Sequence, residues 1–134
     1  MNFGIIPASW APALHSVLRI LAGLSFLEHG TGKILGFPAL PGLDQMPAPL
    51  LYFTGYVELI GGVLIVIGLL TRPVAFVLAG FMAVAFFMVH VAMMGHGSVF
   101  PAVNQGEAAY LYTFVFLYLA AAGPGPWSVD KLAS

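Results

Sequence analysis

Cysteine is missing from all 134 residues, which excludes disulfides, thiolate-held metals and any dithiol relay within the chain. Charge is nearly missing too: Lys and Arg number 4, Asp and Glu 5, together 7% of the chain, for a formal net charge of −1. So thin a balance argues against a nucleic-acid partner and against a polybasic lipid-binding role. A soluble domain carries roughly 25% charged residues. With 60% hydrophobic residues and a mean hydropathy of +1.00, this chain lacks the polar cover that a water-facing surface needs. Its solvent is lipid. No positively charged segment precedes the first apolar run, and residues 11–14 (APAL) make a poor cleavage site. That run is therefore expected to be both targeting signal and mature helix.

What is present is long uncharged sequence. Between Arg72 and Glu107 lie 34 residues without a charge, and 22 more run from Ala108 to Val129. About 20 apolar residues cross the hydrocarbon as a helix. The pattern predicts an all-α integral membrane four-helix bundle, one domain over residues 1–134, with spans near 13–35, 50–70, 74–94 and 107–122. The Gly- and Pro-rich stretch 36–49 (GFPALPGLDQMPAP) reads as a loop, and Pro73 suits the first turn of the third helix. Ala75, Ala79 and Ala83 recur every four residues, a small-residue face for close helix packing in lipid. Gly123-Pro124-Gly125-Pro126 ends the fourth helix. Trp10 and Trp127 belong at headgroup depth.

Four spans place both termini and the 71–73 turn on one side, with Arg72, Lys131 and the nearby Arg19; Lys33 lies on the other. Positive residues favour the cytoplasm, so the expected location is a bacterial inner membrane with both termini cytoplasmic.

Depth arithmetic gathers the polar residues. At 1.5 Å per residue Glu58 lies roughly 21 Å from Arg72, and His90 roughly 27 Å from it along the third helix. Glu28 and His29 sit one to one-and-a-half turns below Lys33, and Glu107 opens the fourth helix from the same side. Glu28, His29, Glu58, His90 and Glu107 are thus expected in one outer layer, with Arg19 alone toward the inner side. An ionisable group inside a membrane raises a functional question by default, and such a layer could bind a polar headgroup, hydrogen-bond the carbonyls of a quinone, or relay protons.

Plainer readings stand beside this one. Glu58, followed by Gly61 and Gly62, reads equally as a structural acid bonded across a close helix contact. His90 on an apolar helix reads as a satisfied interhelical hydrogen bond, Glu28, Lys33 and Glu107 as markers of the water boundary, and Arg19 as a side chain snorkelling to the inner headgroups. Haem ligation by His29 and His90, and copper(I) held by His90, Met93, Met94 and His96, are the weaker alternatives.

The succession Arg19…Gly23…His29-Gly30…Lys33, then Glu58-Leu59-Ile60-Gly61-Gly62…Gly68-Leu69-Leu70-Thr71-Arg72, then a small-residue helix ending in His90, then Glu107-Ala108…Gly123-Pro124-Gly125…Ser128-Val129-Asp130, resembles the DoxX family over nearly the whole chain. The resemblance implies a small four-helix membrane protein. Some members are named as subunits of thiosulfate:quinone oxidoreductase, others as parts of membrane oxidoreductase complexes that handle thiol or oxidative stress. The positions that carry over are Arg19, His29, Lys33, Glu58, His90 and Glu107. The redox association belongs to the resemblance; the chain has no nucleotide-binding loop and no cofactor signature of its own, so a quinone or a redox partner subunit would carry any electrons. The small-residue faces serve packing within one chain or a homo-oligomer. A non-catalytic membrane chaperone or assembly factor is the second expectation, and a small-solute transporter the third.

Overall fold

The computed structural model describes residues 3–134, and its regular structure among them is helical. Two long helices open the chain: α1, Ala11–Leu35, and α2, Ala48–Ile67. α3 runs Thr71–Ala85 and continues as a π-helix over Phe86–Met94. A single turn, α4 (Pro101–Asn104), precedes α5 (Glu107–Ala122), and α6 (Val129–Leu132) closes the chain.

Local chemistry sets these limits. Pro12 and Pro49 lie in the first turns of α1 and α2, where the missing N–H has no intrahelical partner to lose. Gly36 (φ 74) and Gly68 (φ 69) stop the same helices in the left-handed conformation. α3 begins at Thr71, so Pro73 sits in its first turn as the sequence predicts. The helices begin and end within three residues of the limits expected, but the number long enough to span is corrected. Three helices are long and apolar enough to cross a membrane, but α5 has only 16 residues. At 1.5 Å per residue it reaches about 24 Å, short of a core about 30 Å thick. Gly123 ends it, so α5 is apolar but falls short of the fourth span expected from the sequence.

The chain divides into two compact units, one built from residues up to Thr71 together with 124–134, the other from residues 72–123. In the first, α1 and α2 meet along glycine. A Cβ added to Gly23 would touch Val66, one on Gly62 would touch Leu27, one on Gly30 would meet Leu59, and one on Gly55 would meet Ile34. As one residue number climbs the other falls, so the helices pack antiparallel in one unbroken register, backbone close to backbone. Lipid tails are as apolar as Leu, so tight packing and polar contacts, not exclusion of water, hold such a pair. Phe26 and Ile65 are buried here. In the second unit Ala75 and Ala79 are buried, with Phe86, Phe116 and Leu119.

Candidate functional site

In the first unit, α1 delivers Lys33 and α2 delivers Thr54 and Glu58 to one place. Lys33 Nζ donates to Glu58 Oε1 at 2.9 Å and to Thr54 Oγ1 at 3.0 Å. Glu58 Oε2 lies 2.8 Å from the same ammonium, yet accepts no hydrogen bond. Thr54 passes its own proton back to the Leu50 carbonyl at 2.8 Å. The side chains of Lys33 and Glu58 are only 10% and 8% exposed, which makes this a buried ion pair. Gly55 brings the backbones close enough for it, since a Cβ there would stand 3.0 Å from Lys33 Cβ. In a low-dielectric setting each charge needs the other, and removing one partner leaves an uncompensated ion.

Arg19 does not snorkel. It is fully buried, and its guanidinium donates to the carbonyls of Ile65 (2.9 Å), Val66 (3.4 Å), Pro124 and Trp127. Those oxygens lie in the last turn of α2, where carbonyls lack a full set of helical partners, and in the non-helical segment after residue 123. Five donors in a rigid fork suit that task better than an aliphatic stem reaching for water. Ser16 supports the same junction by accepting from the Trp127 N–H at 3.1 Å.

Asp130 works beside it. Its carboxylate accepts from the N–H of Leu70 (2.7 Å) and Thr71 (2.8 Å), while its own N–H donates to the Gly68 carbonyl. Slight burial pushes the Asp130 carboxyl up, but the Thr71 and Leu70 hydrogen bonds and the Arg19 guanidinium outweigh it and hold the group below its ordinary value. The folded form therefore binds this proton less readily than the unfolded chain does. The stabilisation is full above the ordinary Asp value of about 3.9 and is lost as pH falls through the lower folded value. Limited proteolysis of the C-terminal segment should accelerate at acid pH in the natural chain. An Asp130→Asn chain should be more readily cut at neutral pH and show a flatter profile. Equal cleavage of both at every pH would contradict this role.

In the second unit, His90 lies inside the π-helical stretch, with Nδ1 3.3 Å from the Asn104 carbonyl. Asn104 is fully buried; its amide donates to the Ser98 carbonyl at 3.0 Å and its Oδ1 accepts from the Gly106 N–H at 2.8 Å. A Cβ on Gly106 would collide with Asn104 Oδ1 and His90 Cβ. π-Helical insertions occur frequently at functional sites.

The remaining candidates are not gathered in. Glu28 is exposed, and so is Glu107 in the first turn of α5. His29 is exposed as well; its Nδ1 sits 3.0 Å from the Ser25 carbonyl of its own helix, and it is near enough to interact electrostatically with Glu58. Among the described residues, no group of three or more His, Cys, Asp or Glu side chains could hold a metal ion. Met93 and Met94 are exposed.

Sequence reasoning missed Thr54, Asn104's part beside His90, and Asp130. Thr54 was findable, because it precedes Glu58 by one turn on the same helix face. Asp130 was not, since its partners lie 59 and 60 residues away.

Long apolar helices carrying a buried Lys–Glu pair and a buried Arg define a membrane-embedded helical protein. The DoxX family model matches residues 14–91, more than half of the chain. The chain belongs to the DoxX family. It is also 40% identical over 125 residues to an uncharacterised protein of Haemophilus influenzae, covering 91% of this chain and 92% of that one. No solved structure matches.

Proposed function

We propose that this chain is a membrane component of a quinone-linked oxidoreductase system, engaging the quinone headgroup through the outer polar residues. The Lys33–Glu58 pair carries the reading. An ammonium has three donors, and two of them serve Thr54 and Glu58 Oε1. Glu58 Oε2 accepts no hydrogen bond. An ammonium beside a carboxylate, both oxygens of which lie within 2.9 Å of it, matches what a quinone and its quinol ask for, a donor to the carbonyl and an acceptor for the hydroxyl. Arg19, tied to the Ile65 and Val66 carbonyls, positions the inner end of the helix that carries Glu58, and a redox partner subunit supplies the electrons. Both termini face the cytoplasm of a bacterial inner membrane in this reading. The Ser16 and Arg19 contacts to the chain after residue 123 support a shared side for the two ends, and Arg72 and Lys131 support the cytoplasmic one.

The test is quinone recovered with the purified protein and quinone reduction by membranes that contain it. Glu58→Gln keeps the shape and removes the charge, and should lower bound quinone and quinone reduction about tenfold at equal protein abundance, as loss of a charge-assisted hydrogen bond of about 1.5 kcal/mol would do. Absence of co-purified quinone, together with unchanged reduction in the Glu58→Gln chain, would overturn the reading.

A second reading has its own observation. Lys33 and Glu58 neutralise each other across the α1–α2 contact, which is what a helix lock in a non-catalytic assembly factor requires. In that case Glu58→Gln lowers detergent stability and partner recovery together, with no redox effect separable from abundance.

A further inference from the structure

The outward face of α1 has an order that packing against α2 does not explain. Leu14, Leu18 and Leu21 are exposed, as are Ser25 and Glu28. Their spacing alternates four and three, which keeps all five on one stripe and is the spacing of a coiled-coil seam. The residues that meet α2 (Gly23, Leu27, Gly30 and Ile34) fall on the opposite side of the helix. Three leucines face lipid without difficulty. Glu28 does not. Seven residues separate it from the outer end at Leu35, about 10 Å, and nine from Arg19, about 13 Å, where α1 is tied to the C-terminal segment. Its carboxylate forms no hydrogen bond or ion pair among the described residues. A charge at that depth against acyl chains is disfavoured by several kcal/mol.

His29 follows it by one residue on the flank of the same stripe. A carbonyl oxygen only accepts, so the proximity of Nδ1 to the Ser25 carbonyl puts a proton on Nδ1 and leaves Nε2 without a partner among the described residues. An unpartnered carboxyl and an unpartnered ring nitrogen therefore sit at one level on an exposed seam.

We propose that this seam is a homodimer interface, in which two copies of α1 run parallel about a twofold axis along the membrane normal and Glu28 of each pairs with His29 of the other. Twofold symmetry brings residues of equal depth together and makes the contact reciprocal. A single proton between the carboxyl and Nε2 completes each hydrogen bond, whether the pair is ionic or neutral. The leucines supply packing on the inner side of the seam, and the two polar pairs supply preference for protein over lipid. This inference does not depend on quinone.

The natural absence of cysteine makes the test direct. In native membranes, Ser25→Cys and, separately, Leu21→Cys should oxidise to a covalent dimer of the full chain, while Ile60→Cys, exposed on α2, should not. Glu28→His and His29→Glu should each weaken dimerisation about tenfold, as loss of interhelical hydrogen bonds of this class implies. One such chain carries two imidazoles at this level and the other two carboxylates, so co-expressing them with different tags should restore dimers that are mixed. Cross-linking at positions 21 and 25 no greater than at position 60, or a mixture that associates no better than either variant alone, would overturn the proposal. The cysteine variants keep Glu28 and His29, so that readout stands even if a charge variant folds poorly.

Discussion

A Gly30→Val chain is expected to leave no folded protein in detergent extracts, whereas Gly80→Ala is expected to match the natural chain or exceed it. Even a bare Cβ on Gly30 would stand 2.6 Å from Leu59 Cα and 2.8 Å from the Glu58 carbonyl carbon, all of it backbone that no rotamer can move. Overpacking a core costs about 1–3 kcal/mol when side chains can adjust, and here they cannot, so the effect lies at or beyond the top of that range. The helices must part by an ångström or more, and the Lys33–Glu58 hydrogen bonds, which reach only across a close contact, go with them. Gly80 has nothing within 4 Å of where a Cβ would be. Alanine there gains helix propensity of up to about 1 kcal/mol. Thermal unfolding monitored by circular dichroism would check both. Similar melting of the two variants would contradict the close α1–α2 contact.

Arg19→Met is expected to be nearly as damaging, for a different reason. Methionine fills similar space but donates nothing, so the carbonyls of Ile65, Val66, Pro124 and Trp127 lose their shared donor. Each buried acceptor left unpaired costs about 1–3 kcal/mol; Ile65 keeps the Gly68 N–H at 3.2 Å, so the loss of the other three amounts to about 3 kcal/mol or more. Arg19→Lys should recover only part, because an ammonium has three donors and no planar fork. The signature separating this from a general packing fault is location: hydrogen exchange should rise first in residues 124–132 and around Ile65, with the outer end of α1 still protected. Uniform exchange along α1 would speak against it.

The Lys33–Glu58 pair was half legible in the sequence. Both residues stood out as charges inside apolar spans, and the depth arithmetic brought them to the outer half of the bundle. The choice of partner was not legible, since His29, His90 and Lys33 were all within reach by depth. Rotation about the helix axis decided it, and rotation depends on which residues are small enough to sit at the contact. Gly55 and Gly30 turn α1 and α2 so that Lys33 faces Glu58 and Glu28 faces away.

The amino-acid sequence by itself determined the solvent, the helical class and the places where helices stop, because apolar composition, length, glycine and proline act locally and need no partner. Tertiary structure alone decided what the few charges do. The same Arg19 that composition would send to the headgroups is held inside by carbonyls more than 40 residues distant in sequence. The same Glu28 that depth alone would add to a polar layer is left on an open face. A charge in lipid goes where its hydrogen-bond partners are, and those partners are brought near by folding.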